Sequence, residues 1–360
     1  MRYLTGFLIL FVFLSAQLLV RSAALADISG TPCSIPSSVP ASSPQPTTGT
    51  IRALFIFVKF SDDTFENDCT EDWDHVTYNT TRPPWTNQII DASLMSNQTP
   101  SSLSDYFDLV SFGQFRMIGD IFPQDNLVYV PPHPQSYYVR NISYPAGDPL
   151  RRGIGYLNSE ILKDLVSVID YQNYDTNPND NVLDMVFIMY RIYDISTEGG
   201  CNGGSYSGIA TLDPCNDGFF PITLDGVQIN CGVFGSGVTI RTALQLNDLR
   251  ELLAHEYGHH WFGATHFGTG TQVQNGNMGW FGYSNGKAAG RGAFDKVKLG
   301  WVTPTTITAN TPGLPIDDLA THSNAVYKVL IPGQTNRYFL LENRQRTNLY
   351  EQQWTGAAVI

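Results

Sequence analysis

Four of the chain's seven histidines fall between residues 255 and 266. The window reads His255-Glu256-Tyr257-Gly258-His259-His260-Trp261-Phe262-Gly263-Ala264-Thr265-His266, an H-E-x-x-H segment with a further histidine after a glycine. On an α-helix, positions i and i+4 share a face and lie about 6 Å apart along the axis. Their imidazoles can therefore converge on one metal ion at about 2.0–2.1 Å. Glu256, next to the first of them, is angled toward water beside the metal rather than toward the metal. Zinc makes such water acidic near neutral pH, and the glutamate takes its proton and passes it to a leaving amine. An ordinary amphipathic helix has no use for four histidines together, because buried imidazoles without partners are costly.

The third ligand decides the type of site. A glutamate on a later helix would serve, but the next glutamate after Glu256 is Glu342, in a stretch that reads as strand. The alternative pattern is H-E-x-x-H-x-x-G-x-x-H, in which glycine turns the chain and brings a third histidine back. Here Gly263 and His266 each stand one residue later than that pattern requires. His266 is the expected third ligand, with Asp295 and His322 as alternatives. His260 is expected to face away, as a surface histidine or one behind the ligands. Met278, in the glycine-rich Asn275–Tyr283 segment, suits a turn flooring the metal, and Tyr283 suits a group that polarises the scissile carbonyl.

These residues need a helix to hold them. Asn247 is a good N-cap, Asp248 a favourable first-turn charge, and Leu249, Leu252 and Leu253 give helical apolar spacing. Gly263 is a natural stop. The helix is expected over about 248–262, with both ligands in its last two turns. Leu183 to Tyr190 reads as a buried strand, and residues 157–170 carry Leu157, Ile161, Leu162, Leu165, Val166 and Ile169 at helical spacing. Alternating helices and strands imply an α+β domain with a mixed twisted sheet.

With those pieces in place, the chain resembles the immune inhibitor A family of secreted zinc metallopeptidases, which are metzincin-like. Arg52–Phe60 resembles the family's opening strand, and Ser104–Phe107 with Ser111-Phe112-Gly113 its next helix and turn. Gly292–Trp301 resembles the segment after the methionine turn, and Tyr338–Gln345 the strand that begins a β-rich part. The resemblance implies zinc, a water nucleophile and hydrolysis of peptide bonds in extracellular proteins. The family usually continues from H-E-x-x-H through Gly-Leu-Pro-Asp, the aspartate being its third ligand, whereas Gly263-Ala264-Thr265-His266 stands here. Tyr174–Asp184 occupies the place of an acidic family loop that resembles a calcium site. The oxygens of Asp175, Asn177, Asn179 and Asp184 suit Ca²⁺, although such a cluster also reads as a plain turn.

The remaining features set the context. Residues 1–26 have a basic start, an apolar run and a small-residue cleavage site, as a signal peptide does. No other apolar run is long enough to span a bilayer. Cleavage removes Arg2 and Arg21 and no acid, so net charge moves from -12 to -14 (-12 minus 2). That acidity argues against nucleic acid and anionic membranes as partners. Residues 27–50 are Ser/Pro/Thr-rich, a linker or propeptide remnant. A catalytic domain is expected over 51–322 and the start of a β-rich domain, incomplete, over 323–360. Cys33, Cys69, Cys201, Cys215 and Cys231 favour disulfides in an exported protein. The last three are placed to staple the glycine-rich 195–239 stretch, and Cys33 is either a disulfide partner, an idle thiol or a thiolate cap on zinc in a latent form. Asn79, Asn97 and Asn141 head N-glycosylation sequons.

The sequence therefore implies a secreted zinc endopeptidase acting on protein or peptide substrates. Two other classes stay open: a non-catalytic adhesion or carbohydrate-binding protein that keeps the fold, and a zinc hydrolase of a non-peptide bond.

Overall fold

The computed structural model describes residues 45–64, 73–94, 98–193, 208–241, 243, 246–263, 292–334, 337–345, 347–350 and 358–359. At its centre is a five-stranded mixed sheet. Strands β1 (Gly49–Val58), β2 (Phe115–Phe122), β3 (Met185–Tyr190), β4 (Gly208–Ile209) and β7 (Gly237–Ile240) form it in the order β2-β1-β3-β7-β4. The first four in that order are parallel, and the short edge strand β4 runs antiparallel to β7. Strands β5 (Ile222–Leu224) and β6 (Val227–Ile229) form a separate hairpin.

Both faces of the sheet are covered, which is why β1 and β3 read as continuous apolar runs rather than alternating ones. Ile51, Ala53, Phe55 and Phe57 of β1 and Met185, Phe187 and Met189 of β3 point to one side. There they meet helix α1 (Leu103–Val110) and helix α3 (Leu246–Phe262). Leu54, Ile56, Val58, Val186, Ile188 and Tyr190 point to the other side, toward helix α2 (Ile154–Asp164). Phe55 and Phe187 stack across β1 and β3 at 4.6 Å between ring centroids.

The segments foreseen as elements are found with shifted ends. Helix α2 stops at Asp164 and a 3₁₀ turn follows over Leu165–Ser167, so Ile169 is buried without being helical. Helix α3 begins at Leu246, which places Asn247 inside its first turn rather than at its N-cap. Ser102 caps α1 by accepting the backbone N–H of Asp105 at 3.0 Å.

A smaller unit follows. Helix α4 (Ala293–Lys298) leads to a three-stranded sheet of β8 (Thr305–Ile307), β9 (Tyr327–Leu330) and β10 (Tyr338–Leu341), with β9 central. Ala293, Val302, Leu319 and Val326 form its small core. Tyr350 ties the segment after this unit's sheet back to α1, its hydroxyl donating to Asp105 Oδ2 at 2.6 Å.

The strand-preceding residues are also fixed. The indole N–H of Trp261, on α3, donates to the Pro46 carbonyl at 3.0 Å, and that of Trp301 to the Thr47 carbonyl at 2.6 Å. Gly49 and Thr50 already belong to β1. Pro46, Thr47, Gly49 and Thr50, in the 27–50 stretch that composition marks as a linker, thus belong to the fold. No helix among the described residues is long and apolar enough to cross a membrane.

Candidate metal centre

Helix α3 has to end where it does because Gly263 turns left-handed, with φ +82°, and its N–H returns to the His259 carbonyl at 2.7 Å. Only glycine takes that torsion without strain. Upstream of the turn, every residue from Glu251 to Trp261 is buried. That run contains Glu251, His255, Glu256, His259 and His260, five ionisable groups in a helix packed on all sides. Burial of so many polar side chains is expensive unless they have a task.

His255 and His259 lie on one face, their rings 5.0 Å apart and nearly perpendicular. His259 Nδ1 is 2.8 Å from the Gly263 carbonyl oxygen. A carbonyl can only accept, so Nδ1 carries the proton and Nε2 presents a lone pair. That Nε2 faces His255 Nε2 at 3.3 Å. Two nitrogens bound to a tetrahedral zinc at about 2.05 Å would stand roughly 3.3–3.4 Å apart. The pair therefore has the spacing that one zinc ion requires, and the second nitrogen of His259 has the backbone partner that metal-binding histidines ordinarily have.

Glu256 is buried beside this pair, and its environment pushes its carboxyl up to about 8, by desolvation. The edge strand β4 lies against it. Gly208 sits so near that a methyl group added there would stand 2.5 Å from Glu256 Oε1 and 2.7 Å from Cδ. His260 points elsewhere. It is fully buried rather than at the surface, with its ring 6.0 Å from that of Tyr257. Desolvation above all, then the neighbouring His259, hold it down at about 3; the Gly235 and Gly237 backbone lies close enough to oppose this, but neither ring nitrogen has a partner at hydrogen-bonding geometry.

Of the sequence-derived site residues, His255, Glu256 and His259 are brought together on α3. His266, Met278 and Tyr283 lie outside the described residues, as does Cys33. Asp295 is buried in α4, and His322 is exposed in a turn beside Thr321. Among the described residues no three His, Cys, Asp or Glu side chains are grouped to hold a metal, so neither Asp295 nor His322 joins the histidine pair.

The acidic loop before β3 is a succession of side-chain turns. Asp175 Oδ1 accepts the Asn177 N–H at 3.1 Å, Asn177 Oδ1 accepts the Asn179 N–H at 3.4 Å, and Asp180 Oδ1 accepts the Val182 N–H at 3.0 Å. Asp184 turns inward and accepts the Arg52 N–H at 2.8 Å, closing the loop onto β1. Burial raises the Asp184 carboxyl to about 6 against those hydrogen bonds.

Of the three cysteines in the glycine-rich stretch, Cys215 is disulfide-bonded, while Cys231 is a free, half-buried thiol pushed up to about 11 by burial. Asn79 and Asn141 are exposed, and Asn97 lies outside the described residues. The contacts of Gly208 with Glu256 and of Trp261 with Pro46 had no sequence signal, since each joins segments far apart in the chain.

No protein-family model matches this chain, and no curated protein matches it either.

Proposed function

We propose that the chain is a secreted zinc-dependent endopeptidase of metzincin type, as its resemblance to the immune inhibitor A family implies. The observation that carries this reading is the His255–His259 pair, with Nε2 atoms 3.3 Å apart and His259 oriented by the Gly263 carbonyl. A mixed sheet with an antiparallel edge strand beside the helix of the histidines is compatible with it.

When bound, zinc supplies a Lewis acid that polarises the scissile carbonyl and acidifies water. His255 and His259 would hold it, with His266 as the third donor from the sequence pattern; among the described residues neither Asp295 nor His322 groups with the pair. Glu256 accepts the proton of the attacking water and returns it to the leaving amine. Burial raises its carboxyl in the metal-free protein, and a cation held by the histidine pair would favour the carboxylate form that accepts the proton. Met278 is assigned to the floor of the site and Tyr283 to the substrate carbonyl, from their order in the sequence.

The test is metal content together with casein cleavage. One zinc per chain is expected, with cleavage lost on chelation and reduced ~10²–10⁴-fold in Glu256→Gln. A direct imidazole–imidazole hydrogen bond would place the two nitrogens similarly, so a protein that binds no zinc, or a fully active Glu256→Gln variant, overturns the reading. Stoichiometric zinc with hydrolysis confined to non-peptide esters would move the assignment to another hydrolase class.

A further inference from the structure

We infer that Gly208 is a positioning residue: its missing side chain makes the space into which the Glu256 carboxylate fits against β4. The inference rests on the proposed role of Glu256 as the proton carrier.

Gly208 is the first residue of the antiparallel edge strand and pairs with Ile240 of β7. Its torsion is not the reason for glycine, because its φ lies outside the left-handed region and any residue could adopt that backbone. Space is the reason. A Cβ at this position would meet Glu256 and nothing nearer: Cγ first, then Oε1 at 2.5 Å and Cδ at 2.7 Å. Side chains do not tolerate such separations, so one partner has to give.

The β4 backbone is pinned to β7, whereas the glutamate can rotate. An added methyl therefore displaces the carboxylate and leaves the strand in place. His255 and His259 are held separately, by the helix and by the Gly263 carbonyl, so they are untouched. Edge strand and helix thus divide the labour: α3 fixes the metal-binding pair, and the bare backbone at Gly208 fixes where the carboxylate stands.

The experiment is Gly208→Ala, read three ways. A displacement of about 1 Å at a reacting group can cost ~10²-fold in rate, so kcat on a peptide substrate should fall by about that factor while KM and zinc content stay within twofold of wild type. In metal-stripped protein, Gly208→Ala should lower the melting temperature when Glu256 is present. It should leave that temperature unchanged, or raise it slightly, in a Glu256→Ala background, where the clash is gone and alanine suits a strand better than glycine.

A wild-type kcat in zinc-loaded Gly208→Ala overturns the inference. So does an equal melting shift in both backgrounds, which is what a merely structural glycine would give. If Gly208→Ala fails to fold, the Gly208→Ala/Glu256→Ala pair should fold; its failure overturns the inference as well. Failure of the peptidase reading looks different: no zinc, or an active Glu256→Gln variant, with the background-dependent melting shift still present.

Discussion

The Nδ1 atom of His259 lies 2.8 Å from the carbonyl oxygen of Gly263, the residue at which α3 ends. Gly263 therefore acts twice. Its N–H closes the last turn on the His259 carbonyl, and its own carbonyl fixes the tautomer and direction of the His259 ring. Helix termination and orientation of the His259 ring are one event, set by a single left-handed torsion.

Substituting Gly263 should accordingly weaken metal binding without touching a ligand. The nearest atom to an added methyl is in Phe234, at 3.5 Å, so Gly263→Ala meets torsional strain rather than a clash. The left-handed torsion costs a non-glycine residue about 1–2 kcal/mol. Loss of a ligand's outer hydrogen bond typically lowers metal affinity ~10–100-fold. Competition with a chromophoric chelator should show a loss in that range for Gly263→Ala and partial recovery for Gly263→Asn, since asparagine tolerates this torsion better. Equal affinities in all three proteins would detach the turn from the ligand.

How far this arrangement could be read beforehand depends on the range of each interaction. His255, Glu256 and His259 were legible because helical periodicity alone puts them together, and Gly263 because a stop signal is local. Strands β1 and β3 were legible because a doubly covered strand must be apolar throughout. Asn247 misled: its capping propensity is a local preference, and α3 gains another turn residue at Leu246, half-buried against the core. Gly208 was invisible, since one glycine in a glycine-rich stretch gives no hint of what lies opposite. The acidic loop was ambiguous because Asp and Asn serve turns and cations alike, and only the hydrogen-bond partners of Asp175, Asn177 and Asp184 show how those oxygens are engaged.

The residues ahead of β1 should matter to stability although their composition suggests a linker. Two buried tryptophans, Trp261 and Trp301, use the main chain of Pro46 and Thr47 as acceptor, and their rings pack at 5.4 Å. A chain lacking residues 1–48 should melt several degrees below one lacking residues 1–44, since only the former loses Pro46 and Thr47. Each orphaned buried donor costs about 1–3 kcal/mol. Tryptophan fluorescence should shift to the red in the longer deletion only. Identical melts for the two deletions would show that the strap contributes nothing.

Asp184 is expected to act through Arg52 rather than through calcium. Its carboxylate accepts the Arg52 N–H at 2.8 Å and two longer contacts from the Thr176 N–H at 3.3 Å. Asp184→Ala should therefore destabilise the fold by about 1–3 kcal/mol, and millimolar Ca²⁺ should leave the wild-type melt where it is. A calcium-dependent rise in melting temperature that disappears in Asp184→Asn would restore the cation reading of the loop.

In the metal-stripped protein Glu256 and His260 should make opposing contributions to the dependence of stability on pH, because burial shifts them in opposite senses. Burial raises Glu256 from 4.5 to about 8, so between those values the unfolded chain has lost a proton that the folded protein keeps. Its contribution is complete below pH 4.5 and is lost as pH rises toward 8. Burial lowers His260 from 6.5 to about 3, so between those values the unfolded chain holds a proton that the folded protein lacks. Its contribution is complete above pH 6.5 and is lost as pH falls toward 3. From 4.5 to 6.5 the two slopes oppose each other and cancel. Outside that window only one of the two contributes, at about 1.4 kcal/mol per pH unit, and Asp184, raised to about 6, adds its own loss of stability as pH rises between 3.8 and 6 in every variant. Denaturant titrations across pH should therefore lose the alkaline limb in Glu256→Gln and the acid limb in His260→Phe. Added zinc should also flatten the alkaline limb, since a cation beside Glu256 favours its carboxylate. An alkaline limb that persists in Glu256→Gln would mean that the buried glutamate is not what destabilises the metal-free protein as pH rises.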